Sequence, residues 1–245
     1  MTELHVESSW GDWLFRHRSY LPVLLLPALG TALALPAQQV QAESEPLWQV
    51  ICLSVSLLGF VLRAWTVGTA PAGTSGRNTS RQVASQLNTD GPYSIVRNPL
   101  YLGNALMWSG LVMYARSLPL TLGIGLAFWL MYGPIIRAEE AFLRARFGAE
   151  FERWAACTPA FVPRPSRYRP ARLPFSLRNV LRREYSGLAA LLLLFGMEVI
   201  IRHRSVTGRW DVGPGWFVLE ASAAVLYLVL RMLKRHTRLL HVAGR

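Results

Sequence analysis

Six apolar blocks, at 20–37, 47–67, 100–115, 118–136, 185–201 and 216–233, alternate with polar stretches along the chain. Each block is about 16–21 residues long, close to the roughly 20 that carry an α-helix across a bilayer core. The pattern predicts an all-α, polytopic membrane helical bundle of about six transmembrane helices. The third and fifth blocks are short, which suits a tilted or re-entrant helix. Gly110, Gly123, Gly125 and Gly133 are expected where membrane helices approach closely, because small residues let backbones meet. The stretch before the first block contains Glu3, Glu7 and Asp12. That makes a poor signal-peptide start, so a retained helix is expected there.

The polar stretch 137–184 has its own periodicity. Leu143, Phe147, Phe151 and Trp154 recur at helical spacing, with charged residues between them. Gly148 interrupts the pattern and predicts two short helices, or one kinked helix, lying at the membrane interface. Pro159, Pro163, Pro165, Pro170 and Pro174 then enforce an extended crossing. Phe175, Val180 and Leu181, interleaved with Arg178, Arg182 and Arg183, predict a basic amphipathic stretch suited to anionic lipid. This organisation divides the chain into 1–67, the first two spans; 68–184, a core of helical hairpin plus interfacial segment; and 185–245, a final helix pair with a basic tail.

Charge adds an orientation. The chain is 52% hydrophobic and 16% charged, with a formal net charge of +12. With the N-terminus in the cytoplasm, the inner segments hold 20 Lys and Arg and the outer segments 4. That bias predicts both termini inside. Arg63 and Arg231 lie within blocks, toward their inner ends, where they are expected to snorkel to the interface. Glu198 and Glu220 fall near outer ends, with Arg202 and Arg204 as expected ion-pair partners. No nucleic-acid motif accompanies the basic residues. Cys52 and Cys157 have no metal-ligand company, so neither a metal nor a disulfide is expected. Asn78-Thr79-Ser80 matches a glycosylation acceptor but falls on the inner side and is discounted.

Two features carry possible chemistry. Residues 91–103 read Gly-Pro-Tyr-Ser-Ile-Val-Arg-Asn-Pro-Leu-Tyr-Leu-Gly and run into the third block. Pro99 suits the first turn of a helix, so Arg97 stands just before a helix N-terminus, where free N–H groups favour an anion. Gly103 permits close approach of a ligand or another backbone. On local grounds alone this is a capped helix with a basic flank. The second feature is Glu139-Glu140 at the inner end of the fourth block, which a hairpin turning near Arg116, Ser117 and Pro119 brings beside Arg97. Its local alternative is an ion pair of Glu140 with Arg144 one turn on.

Taken together, Gly91-Pro92-Tyr93, Val96-Arg97-x-Pro99-x-Tyr101-x-Gly103, Glu139-Glu140, the Phe147/Phe151/Trp154 series and Phe161-Val162-Pro163 resemble the isoprenylcysteine carboxyl methyltransferase and phospholipid N-methyltransferase family. The resemblance implies a membrane enzyme that takes S-adenosylmethionine from the cytoplasmic side and a lipid or prenylated substrate sideways from the bilayer. It further implies a cofactor pocket lined by Tyr93, Arg97, Asn98, Pro99, Tyr101, Gly103, Glu139, Glu140, Phe151 and Trp154, with Phe147 helping to close it. Arg97 and Glu140 are the expected catalytic residues. One departure is Asn98, where the family usually has histidine. Asparagine keeps a hydrogen bond but carries no proton near neutral pH. That tilts the expected acceptor toward an anionic oxygen, a carboxylate or lipid phosphate, with a head-group amine as the alternative. A transporter or non-catalytic scaffold built on the same hairpin is the reading from another class; it predicts functional roles for Glu198 and Glu220.

Overall fold

Every apolar block falls on a helix. The computed structural model describes residues 10–17, 21–34, 45–74, 84–210 and 213–245. Its helices are α1 (Trp10–His17), α2 (Leu26–Ala34), α3 (Glu45–Thr69), α4 (Pro99–Tyr114), α5 (Leu118–Phe147), α6 (Ala149–Cys157), α7 (Leu177–Thr207) and α8 (Pro214–His236). No strand forms among the described residues; Gly91 and Arg169 make an isolated antiparallel bridge. The Asn78-Thr79-Ser80 sequence lies outside the described residues.

Among the described residues, four helices, α3, α5, α7 and α8, are long and apolar enough to cross a membrane. The first block gives a 3-10 turn at Leu21–Leu25 followed by the nine-residue α2, and its last residues lie outside the described part. The third block gives α4, whose 16 residues rise about 24 Å, against a bilayer core of about 30 Å. The fifth block is not a short helix. It lies inside the 31-residue α7, which also absorbs the basic stretch at Arg178, Arg182 and Arg183. Similarly, α5 has 30 residues, so it rises about 45 Å and its last turns project past the apolar layer. Large exposed apolar side chains, among them Leu122, Leu126, Phe217, Val225 and Leu228, coat the outside of the spans, where lipid takes the place of protein.

The tightest packing joins α3 to α4. A Cβ at Gly59 would sit 2.5 Å from the Gly103 carbonyl, and one at Gly110 would collide with Ser56 Oγ and the Cys52 carbonyl. Ser56 Oγ donates to the Met107 carbonyl at 2.9 Å across the same contact. Of the four glycines expected at helix contacts, Gly110 serves that purpose. Gly123 and Gly125 face open space, and the nearest atom to a Cβ at Gly133 is Arg137 Nη1 at 3.7 Å. The hairpin between α4 and α5 turns at Arg116, which adopts φ of 51° and lays its guanidinium over Trp48. Ser117 caps α5 by accepting from the Leu120 amide.

Two apolar clusters fill the bundle. Leu29, Cys52, Leu111, Tyr114, Leu191 and Phe195 form one around the α4–α5 hairpin end. The other, at the opposite end of α4, joins Tyr101, Phe128, Tyr132 and Ile135 to Leu14 of α1, so the N-terminal polar stretch contributes a packed amphipathic helix.

Three polar expectations are corrected here. Glu198 is 4% exposed, and neither of its carboxylate oxygens has a hydrogen-bond partner. Arg202 donates to the Ala115 carbonyl and Arg204 to the Gly208 carbonyl. The carboxyl of Glu220 packs against Gly196. The expected outer ion pairs are therefore replaced by contacts to backbone. Arg63 does not snorkel: its Nε and Nη2 donate to the two oxygens of Glu184 at 2.9 and 3.0 Å.

The α3–α4 contact predicts opposite effects at two glycines. Gly110→Ala overpacks a backbone contact and should lower stability by about 1–3 kcal/mol. Gly123→Ala faces open space and should be neutral or stabilising by up to about 1 kcal/mol. Thermal unfolding of the detergent-solubilised variants checks both, and equal effects would contradict the assigned packing.

Candidate functional site

The site is built where the segment before α4 meets the far end of α5. Gly91 has φ of 59°, in the region that favours glycine, and starts a 3-10 turn at Pro92–Ser94. This turn is pinned by the proline-rich crossing that returns beside it. The Gly91 amide donates to the Arg169 carbonyl at 2.9 Å, and the Arg169 amide donates to Ser94 Oγ at 2.9 Å. Further along, the Arg164 amide donates to the Ile95 carbonyl at 2.8 Å and the Arg97 amide to the Pro159 carbonyl at 2.9 Å. An otherwise irregular segment thus has its backbone groups paired, as a half-buried loop requires.

Asn98 occupies the N-cap position of α4, with Pro99 at the first helical residue, but its side chain makes no cap hydrogen bond. It turns instead to the neighbouring helix. Asn98 Nδ2 donates to Glu140 Oε1 and to the Ala160 carbonyl, both at 3.1 Å. Arg97 Nε donates to the same Glu140 oxygen at 3.0 Å and Nη2 reaches Oε2 at 3.4 Å, a forked pair. Its Nη1 donates to the Ala155 carbonyl at 2.9 Å, near the end of α6. One turn into α4, the Tyr101 hydroxyl donates to Glu139 Oε1 at 2.8 Å. Residues 97, 98 and 101 therefore converge on the two adjacent carboxylates that end the apolar part of α5.

The segment that packs over the 3-10 turn follows from α5 itself. Gly148, at φ of 49°, ends α5 and starts α6, so the series at Phe147, Phe151 and Trp154 spans two helices. Phe151 is fully buried and meets Trp154 edge-on. Trp154 Nε1 donates to the Tyr93 carbonyl at 3.0 Å, tying α6 over the 3-10 turn. Arg144 pairs with Glu152 at 2.5 Å and lies over the Phe151 ring. The local alternative of Arg144 with Glu140 is thus not the one adopted.

Gly103 stands apart from this group. A Cβ there would sit 2.5 Å from Arg63 Cγ and 2.8 Å from the Gly59 carbonyl, so the close approach it permits is to α3. A small cavity of about 40 Å³ opens beside Tyr93, bordered by Thr66, Asn88, Asp90 and Arg172. Asp90 and Arg172 pair across its mouth at 2.6 Å. Neither Arg97 nor Glu140 lines it.

The sequence reading missed the carbonyls of Ala155, Pro159 and Ala160, which bind Arg97 and Asn98, because backbone acceptors leave no signature in side-chain pattern. It also missed the link from Arg63 to Glu184 and Asn104. The signal for that link was an arginine inside an apolar block, read instead as snorkelling. Among the described residues, no group of three or more His, Cys, Asp or Glu side chains is placed to hold a metal ion.

Residues 48–150 match the family model described as phospholipid methyltransferase, which bears out the resemblance seen in the sequence. The chain is similar to a cobalt-zinc-cadmium resistance protein of Cupriavidus metallidurans, 49% identical over 83 residues that cover 34% of this chain and 38% of that protein. It is similar to a nickel-cobalt-cadmium resistance protein of Alcaligenes xylosoxydans, 36% identical over 122 residues, 50% of this chain and 57% of the relative. A protein-S-isoprenylcysteine O-methyltransferase of Schizosaccharomyces pombe is 31% identical over 114 residues, 44% of this chain and 48% of the enzyme. The matched stretches span about half the length of these curated relatives or less. No solved structure matches the chain.

The pairing at Glu140 predicts a stability effect. Glu140→Ala leaves the part-buried Arg97 guanidinium and the Asn98 amide without their shared acceptor, at a cost of about 1–3 kcal/mol. Glu140→Gln retains an acceptor oxygen and should cost less. Thermal unfolding in detergent ranks the two, and an Ala variant as stable as wild type would contradict the pairing.

Proposed function

Starting from a chain whose residues 48–150 match the phospholipid methyltransferase family, we propose that it is an integral membrane methyltransferase that uses S-adenosylmethionine and acts on a lipid or prenylated acceptor. The single observation behind this reading is the convergence of Arg97, Asn98 and Tyr101 on Glu139 and Glu140 beneath the α6 lid. The functional core is 68–184, carried between the helices of 1–67 and the final pair of 185–245. Both termini and the site face the cytoplasm, as the distribution of arginine favours.

The donor set suits the proposed cofactor. S-adenosylmethionine carries an ammonium, a carboxylate, a sulfonium and an aromatic base, and it supplies an activated methyl group. Glu139 and Glu140 would face its cationic groups and Arg97 its carboxylate, with Tyr93 and Trp154 offering aromatic surface and the buried Phe151 backing Trp154. Asn98 and Tyr101 hold the two carboxylates in place, and Pro99 sets the start of α4 that carries them. Gly103 contributes from behind, through its contact with α3. Methyl transfer depends mainly on alignment and exclusion of water, which a closed α6 favours.

An anionic oxygen, a carboxylate or a lipid phosphate, is the preferred acceptor because it needs no base. Asn98 is committed as a donor to Glu140 and Ala160, and it cannot carry a proton. The description of the matching family favours a head-group amine as a second reading. In that case Glu139 would take the ammonium proton. The metals named in two relatives are not carried over to this chain.

The test is binding of S-adenosylmethionine to the purified protein in lipid nanodiscs, followed by titration calorimetry. Wild type should bind saturably, and Arg97→Ala or Glu140→Ala should weaken binding by about tenfold or more, about 1.4 kcal/mol. A folded wild type that does not bind would remove the proposal. Glu198→Gln and Glu220→Gln should leave binding unchanged, whereas a transporter reading requires those acids.

A further inference from the structure

A buried charged cluster crosses three helices behind the site. Arg63 of α3 donates from Nε and Nη2 to both oxygens of Glu184, in the second turn of α7. Its Nη1 donates to Asn104 Oδ1 at 2.7 Å and to the Leu100 carbonyl at 3.4 Å, both in the first two turns of α4. Glu184 is 1% exposed. Gly103 leaves the space through which the Arg63 stem passes, since a Cβ there would lie 2.5 Å from Arg63 Cγ.

Such a cluster is a poor way to stabilise a bundle. Burying an ion pair is costly, and replacing it with apolar side chains of similar volume is often neutral or stabilising. What a forked guanidinium supplies is geometry: fixed donors that set the position of whatever accepts them. Here the acceptors are Leu100 and Asn104. Between and before them lie Tyr101 and the N-cap Asn98, which reach Glu139 and Glu140 of α5. A helix advances about 100° per residue, so a small rotation of α4 would carry both contacts away from α5.

We infer that Arg63, held by Glu184, is a positioning residue that fixes the rotation of α4 and thereby the alignment of Asn98 and Tyr101 against Glu140 and Glu139. The inference rests on the methyltransferase reading for its functional consequence. It also gives α7 a task, although α7 lies outside the family match: it supplies the counter-charge that aims Arg63.

Two variants test it. Arg63→Met/Glu184→Met removes the cluster while keeping volume. Asn104→Leu keeps the α3–α7 pair and removes only its link to α4. Three readouts are taken together: thermal unfolding, hydrogen exchange of peptides covering 95–104, and S-adenosylmethionine affinity. The expected result is unfolding close to wild type, exchange across 95–104 faster by about tenfold, and affinity lower by about tenfold. Exchange and affinity equal to wild type in a stable variant would overturn the inference. Should the double variant fail to fold, Asn104→Leu decides by the same exchange and affinity criteria. A wild type that does not bind the cofactor removes the function proposed above, while the exchange comparison still decides whether Arg63 holds α4.

Discussion

The ion pair between Arg97 and Glu140 is the contact on which this end of the bundle depends. It joins a loop to a helix end 43 residues further on, and the same guanidinium holds the Ala155 carbonyl of α6. Each partner side chain is 19% exposed, so the pair is neither a solvated surface bridge nor a wholly dehydrated one. In that setting two-pronged geometry matters more than charge alone. Asn98 adds a second donor to the same carboxylate and a link to Ala160, so one acid gathers α4, α5 and the segment after α6. Tyr101 and Glu139 repeat the arrangement one helical turn away.

Behind that contact is a division of labour among helices. α3 and α4 meet at glycines and approach each other closely. α5 continues past the apolar block at 118–136, so its two carboxylates follow that block and its last turns lead directly into α6. The crossing at 158–176 is irregular but well bonded to the 91–97 loop and, through the Ala160 carbonyl, to Asn98 at the start of α4. The site is thus assembled from pieces far apart in sequence, each with a separate local reason for its shape.

Much of this was legible in the sequence where local rules act alone. Apolar block length located the helices, the turn near Arg116 and Ser117 fixed the hairpin, and the hairpin brought Glu139 and Glu140 to Arg97. Other features depended on partners that no local rule names. Gly123 and Gly125 satisfy the small-residue pattern of a helix contact but face outward, because the face a helix presents is settled by its neighbours. Arg63 sits at a depth suited to snorkelling, yet Glu184, 121 residues away, draws it inward. Glu198 and Arg202 have the spacing of an ion pair on one helix face, but Arg202 spends its donor on the Ala115 carbonyl at the end of α4. In the block at 185–201, length was misleading because polar turns at both ends continue the same helix.

The measurement that most directly tests the account is transfer of a radiolabelled methyl group from S-adenosylmethionine by the purified protein in nanodiscs made from its host's lipids. Time-dependent label is expected in the organic-soluble lipid fraction, dependent on the intact protein and lost in Arg97→Ala. A stably folded protein that binds the cofactor but leaves every lipid and prenylated acceptor unlabelled would contradict it.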